Sequence, residues 1–114
     1  MIFIGLSTTA AFAGNQLKKV ASSQESLSHT LIQTYQSRHA DQMIATVKKL
    51  EAGHARLHAK IKDQELKNLI VYLQLCLKDL EKLSHKPYST QNAKRVADLS
   101  SSLSEGNHYI LSSL

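Results

Sequence analysis

The chain has 114 residues, which fits a single domain, and its 42% apolar content with 4 glycines and 1 proline favours helices over strands or disorder. The formal net charge is +5, but the basic residues are interleaved with acidic ones along the chain. A nucleic-acid-binding surface usually clusters its basic residues among aromatic ones, so this pattern argues against nucleic-acid binding.

The N-terminus resembles a secretory signal peptide. Residues 1–13 read MIFIGLSTTAAFA, in which residues 2–6 are mostly apolar and Ala11-Phe12-Ala13 matches a signal-peptidase site. No basic residue precedes Lys18, so we expect the signal to begin upstream of the printed start; the alternative is a short N-terminal arm. The apolar run is shorter than the about 20 residues that span a bilayer. We therefore predict no membrane span, a periplasmic location and a mature domain of residues 14–114.

Four amphipathic segments follow in chain order, with apolar residues recurring at steps of three and four. We predict helices over about residues 16–38, 40–61, 64–84 and 89–112. The third has the strongest apolar stripe and ends at Pro87, because proline cannot continue a helix. Short links join amphipathic helices that are neighbours in space, so we predict an all-α fold, an antiparallel up-down-up-down four-helix bundle.

Several residues mark the ends of these helices. Asp41 and Asp63 are candidate N-terminal caps of the second and third helices, and Ser89 or Thr90 is a candidate cap of the fourth. Gly106 lowers helix propensity by about 1 kcal/mol relative to alanine. The fourth helix is therefore expected to bend or fray near Gly106.

The side chains that carry chemistry give weak signals. His54 and His58 stand four residues apart on the second helix, a spacing that can chelate a transition metal. The competing interpretation is one partly buried and one exposed ring. Cys76 is the only cysteine in the sequence, so it forms no intrachain disulfide and is expected to be a buried thiol. No nucleophile triad or glycine-rich phosphate loop is recognisable, so we do not expect an enzyme.

The helical register resembles the cytochrome b562 family. The stretch ADQMIATVKKL (residues 40–50) is similar to the start of that family's second helix, and residues 66–83 match the apolar spacing of the third. Residues 93–108 match the fourth helix without a gap, which puts His108 on the axial haem histidine. The resemblance implies a periplasmic protein that binds haem b through His108 for electron transfer, with a redox partner.

The resemblance also assigns the other haem contacts. Gln24 takes the place of the family's axial methionine, and Leu66, Ile70 and Leu103 correspond to an apolar lining. Three outcomes stay open: five-coordinate haem through His108, replacement of the methionine by His29, or a relative that has lost haem. The alternative function is a periplasmic interaction protein without a cofactor, of the immunity, inhibitor or stress-chaperone type, acting as a monomer or homodimer.

Overall fold

Four α-helices make up the fold: α1 (Ile2–Gln36), α2 (Ala40–Lys60), α3 (Gln64–Ser84) and α4 (Thr90–Ser113). The computed structural model describes the backbone of residues 2–114 and the side chains of residues 16–114. No strand occurs in residues 2–114, which confirms the all-α class. The predicted signal peptide lies before the described side chains and stays a prediction. Among the described residues, no helix has both the length and the apolar character that a bilayer span requires.

The helices enclose one apolar core. α1 packs against α2 and α4, and α3 packs against the same two helices. The fully buried positions of α2 and α3 are mostly large apolar residues, whereas α1 and α4 contribute fewer of them. The largest fully buried apolar side chains are Leu31, Met43, Leu50, Leu57, Ile70, Leu73, Leu77, Leu80, Leu103 and Ile110.

The helix ends follow the local sequence at two of the three predicted caps. The Asp63 carboxylate accepts a hydrogen bond from the Leu66 amide at 2.9 Å, and the Ser89 hydroxyl accepts one from the Asn92 amide at 3.0 Å. These contacts satisfy amide groups that a helix start leaves unpaired. The prediction for Asp41 was wrong: it lies in the first turn of α2, whose N-cap residue His39 makes no side-chain capping bond.

Gly106 allows α3 and α4 to approach closely. It is buried in α4, which continues through it to Ser113, so the predicted fraying was wrong, and the predicted bend stays a prediction. A Cβ atom at this position would lie 2.7 Å from Leu73 Cδ2 and 2.9 Å from Leu73 Cδ1. Leu73 is itself fully buried, so it has little room to move away.

Gly106→Ala is expected to lower the free energy of unfolding by about 1 kcal/mol. The new methyl group forces Leu73 out of its position, an overpacking cost of about 1–3 kcal/mol. The gain of about 1 kcal/mol in helix propensity offsets only part of that cost. Urea unfolding measures the difference, with the exposed α4 substitution Ser101→Ala as the control. A stabilised Gly106→Ala variant would contradict the close approach of α3 and α4.

Candidate functional site

A connected polar network lies inside the fold. Asn107 of α4 is fully buried; its Oδ1 lies 2.7 Å from His54 Nε2 and its Nδ2 donates to Ser28 Oγ at 2.9 Å. Ser28 Oγ donates to the Gln24 carbonyl at 2.7 Å, and Gln24 Nε2 donates to the Leu50 carbonyl at 2.7 Å. The network therefore joins α1, α2 and α4 through buried side chains.

The directions of these bonds fix the proton on His54. Asn107 donates through its amide nitrogen to Ser28, so its carbonyl oxygen must accept from His54 Nε2–H. His54 Nδ1 is then the unprotonated nitrogen, and it is buried without a hydrogen-bond partner. Burial lowers the pKa of His54, because a charged ring in the interior is desolvated; the bond to Asn107 opposes this shift.

A glycine makes room for the α1 part of the network. Gly53 of α2 is buried, and a Cβ atom there would overlap the Gln24 carboxamide, lying 2.8 Å from Gln24 Nε2 and closer still to its other atoms. The side chain of Gln24 thus reaches across to the α2 backbone only because position 53 has no side chain. Since the network is closed to solvent, its role is to fix how α1, α2 and α4 pack.

His108, the predicted axial ligand, faces outward. Its side chain is 67% exposed, and its Nδ1 lies 3.1 Å from Glu25 Oε1. The preceding residue, Asn107, takes the interior position. In this arrangement His108 is a surface side chain beside an acidic partner, so it does not face an apolar haem slot.

The other predicted haem contacts lie in the interior but are already engaged there. Gln24 belongs to the polar network, and Ile70 and Leu103 are fully buried core residues. Leu66 is buried near the start of α3. His29, the alternative ligand, is exposed, and its Nε2 lies 3.2 Å from Ser104 Oγ. The residues as placed do not fit a haem site, because the apolar residues are packed in the interior whereas His29 and His108 are exposed.

His54 and His58 also occupy separate environments. His54 is fully buried against Asn107, whereas His58 is half-buried one turn later. Within the described part of the chain, no group of three or more possible metal ligands comes together. The spacing in sequence does not by itself assemble a metal site.

Cys76 matches its prediction. It is buried on α3 as a free thiol, and burial raises the pKa of that thiol. A raised pKa lowers the thiolate fraction and with it the reactivity, because the thiolate is the nucleophile.

An apolar strip on the outer face of α3 is the main surface feature. It consists of Val71, Tyr72 and Leu75, which are 45%, 53% and 56% exposed. Leu75 lies one turn after Val71 and Tyr72 on the helix face opposite the buried Ile70 and Leu77, so the strip is contiguous. Tyr109 of α4 is 51% exposed and lines a groove together with Tyr72.

The single apolar stripe predicted for α3 faces the core and does not include the strip. A helical projection of α3 could have predicted the strip. In that projection Leu75 lies opposite Leu66 and Leu77, at a position where a solvated helix face is expected to have a polar residue. Contiguous exposed apolar side chains on a small protein commonly mark an interaction surface.

Comparison with known proteins identifies no relative. No protein-family model matches this sequence, and comparison with the curated proteins and the solved structures gives no match. The inferences about function therefore depend on the geometry of this chain alone.

Proposed function

We propose that this chain is a cofactor-free interaction protein that forms a homodimer through the α3 strip. The observation that carries the proposal is the exposure of Val71, Tyr72 and Leu75 on one helix face. Leaving these side chains in water forgoes about 25 cal/mol for each Å² of apolar surface that a partner would cover. Tyrosine is also among the residues that most often dominate binding energy at interfaces.

The charges beside the strip favour a second copy as the partner. By the helical periodicity of 3.6 residues per turn, Lys67 and Lys78 lie beside Val71 at one edge of the strip, and Glu65 lies beside Tyr72 at the other. Asp79 pairs with Arg95 of the same chain at 3.1 Å. A two-fold dimer with parallel α3 helices places the basic edge of each copy against the acidic edge of the other. An antiparallel pair would bring like charges together, so we infer the parallel arrangement.

The size of the strip sets the expected strength of the dimer. α3 has 21 residues, so a contact along its length covers a band about 30 Å long and about 10 Å wide. Stable complexes bury about 800 Å² on each partner. The α3 contact with the adjoining Tyr109 groove falls below that size, so we expect a weak dimer whose population depends on concentration.

Leu75→Glu is expected to abolish the dimer. The side chain is at the centre of the strip and points away from its own core, so the charge is tolerated in the monomer but is desolvated in the dimer. Sedimentation velocity between about 10 µM and 1 mM tests this, a range that brackets a weak interface of this size. The control is Ser101→Glu on the exposed face of α4. A wild-type chain that stays monomeric, or a Leu75→Glu variant that still dimerises, contradicts the proposal.

A charge exchange tests the parallel arrangement. Lys67→Glu and Glu65→Lys are each expected to weaken the dimer several-fold, since exposed ion pairs contribute about 0.2–1 kcal/mol each and occur twice in a symmetric dimer. The double variant restores opposite charges across the parallel interface and is expected to recover wild-type affinity. Dimerisation strengthened by Lys67→Glu alone would indicate the antiparallel arrangement instead.

Haem titration separates this proposal from the expectation raised by the cytochrome b562 resemblance. Because His108 faces solvent beside Glu25, we expect added haem to keep the broad Soret absorption of free haem, without the sharpened and shifted band of a bound haem. A sharpened and shifted Soret band that disappears in His108→Ala would favour the haem protein and overturn the cofactor-free proposal.

Two further elements of the proposal rest on the sequence and the helix order. The links between the helices are short, residues 37–39, 61–63 and 85–89, and short links favour antiparallel neighbours. The packing of α1 on α4 closes such an arrangement, so we infer the up-down-up-down topology.

The periplasmic location is proposed from the signal-like pattern of residues 1–13 alone.

A further inference from the structure

A second candidate site is a cavity where the α1–α2 and α3–α4 links meet. It has a volume of about 250 Å³, just below the about 300–1,000 Å³ that is usual for small-molecule pockets. Tyr35 and Arg38 at the end of α1 line it together with Tyr88 from the α3–α4 link; the remaining lining residues are His39, Ala40, Met43, Ser84, Lys86 and Pro87. None of these belongs to the α3 strip.

Arg38 has a left-handed backbone conformation at the end of α1. Its φ angle is 60°, the left-handed region that usually holds glycine at a helix C-terminus. The Arg38 amide donates to the Tyr35 carbonyl and the His39 amide to the Thr34 carbonyl, which completes the two bonds of a Schellman motif. An arginine here is strained where a glycine would not be, and such strain tends to occur at functional sites.

The arginine forms one end of an aromatic stack. Its guanidinium lies 4.5 Å from the centre of the Tyr88 ring, and that ring stacks on Tyr35 with 5.3 Å between centroids. The stack fixes a delocalised cation at the wall of the cavity, where its planar donors suit a carboxylate.

The rest of the lining adds positive charge. Lys86 lies on the wall, and no aspartate or glutamate is among the lining residues. Ala40 and Met43 bring in the first turn of α2, whose cap residue His39 makes no side-chain hydrogen bond to the helix amides. Unpaired amides at a helix start attract anions. Asp41 lies in the same turn but outside the lining.

A buried hydroxyl provides a second, independent indication of a ligand. Tyr35 is only 6% exposed, and its hydroxyl is buried without a hydrogen-bond partner. A buried polar group without a partner is unfavourable. The hydroxyl is closed to water in the free chain, so a ligand oxygen relieves this penalty only when the Tyr35 side chain moves towards the cavity that it lines. Met43 and Pro87 supply apolar surface beside it.

We propose that this cavity binds a small aromatic carboxylate. The carboxylate pairs with Arg38 and the open amides at the start of α2, and the ring lies against Met43, Pro87 and the tyrosine stack. The cavity volume limits the ligand to about the size of a single substituted ring.

Titration with benzoate, followed by amide chemical shifts in NMR, tests the charge and the place of binding. Shifts are expected at residues 38–43 and at Tyr88. Benzamide has the same shape without the charge and is expected to bind at least tenfold more weakly. Inorganic phosphate, which lacks the ring, is also expected to bind more weakly. Equal affinity for benzoate and benzamide, or shifts confined to other residues, would overturn the proposal.

The Arg38→Gly variant separates binding from folding. Glycine suits the left-handed position, so the thermal midpoint is expected to equal or exceed that of the wild type while benzoate affinity falls at least tenfold. Tyr35→Phe is expected to weaken binding several-fold. The control is Arg56→Gln, an exposed arginine about 24 Å along α2 from Ala40 at 1.5 Å per residue. Benzoate affinity unchanged in Arg38→Gly would exclude this site; the dimer measurements do not depend on it.

Discussion

Replacing Asn107 with leucine is expected to lower the free energy of unfolding by about 3 kcal/mol, more than Gly106→Ala does. Leucine has a similar volume but no polar atoms, so His54 Nε2–H loses its acceptor, and Ser28 Oγ, which still donates to the Gln24 carbonyl, loses its donor. Each buried polar group left without its partner costs about 1–3 kcal/mol. Urea unfolding followed by far-UV circular dichroism measures the loss.

Two further variants show whether the lost hydrogen bonds of the polar network cause the lower stability of Asn107→Leu. Gln33→Leu exchanges an amide for leucine on the exposed face of α1 and is expected to change stability by less than about 0.5 kcal/mol. Combining Asn107→Leu with His54→Leu and Ser28→Ala removes the stranded polar groups and is expected to recover part of the loss. An Asn107→Leu variant as stable as the wild type would show that the network is not formed.

Acidification below pH 6.5 is expected to destabilise the protein through His54. Burial lowers the pKa of His54 in the folded state below its ordinary value of 6.5, so the unfolded chain takes up a proton that the folded chain excludes. The stability from neutral His54 is complete above pH 6.5 and is lost as the pH falls from 6.5 towards the folded-state pKa. The slope approaches about 1.4 kcal/mol for each pH unit in that window.

The measurement is the free energy of unfolding from urea titrations at half-unit steps between pH 5 and 8. In His54→Gln the side chain at position 54 does not titrate. The free energy of unfolding of this variant is therefore expected to change less with pH across this window than that of the wild type. His39→Gln changes an exposed histidine and is expected to keep the wild-type slope. An equal slope in wild type and His54→Gln would exclude a buried neutral His54.

The sequence predicts α2 and α3 well because their interior positions are filled by large apolar residues. The expected stripe on α3 includes Leu66, Ile70, Leu73, Leu77 and Leu80, and all of them are buried. In such helices the residues that recur with the apolar period are also the residues on the buried face. Helix ends also follow local chemistry at Asp63 and Ser89, where a short polar side chain binds the next amides.

The buried faces of α1 and α4 are harder to predict because small and polar residues occupy them. Ala21, Gln24 and Ser28 are buried on α1, whereas the apolar Leu17 and Leu27 of the same helix are only half-buried. The hydrogen bonds that make burial of Gln24 and Ser28 favourable come from α2 and α4. Apolar periodicity within α1 holds no information about those partners.

The same reason explains the position of His108. An alignment based on the fourth helix places His108 at the expected ligand position. Adjacent residues of a helix point in different directions, so an alignment that is off by one residue puts the wrong side chain in the interior. Asn107 takes the interior position because His54 and Ser28 provide its partners. The α3 strip and the cavity near Arg38 likewise depend on which faces the other helices leave uncovered, which a single sequence does not specify.

The most direct test of the proposed homodimer is an isotope-filtered NOE measurement on an equal mixture of labelled and unlabelled protein at millimolar concentration. We expect intermolecular NOEs among the side chains of Val71, Tyr72 and Leu75, with residues at the same level of α3 in contact, as the parallel arrangement requires. Intermolecular NOEs at another surface, or none at a concentration where the protein sediments as a dimer, would contradict the α3 interface.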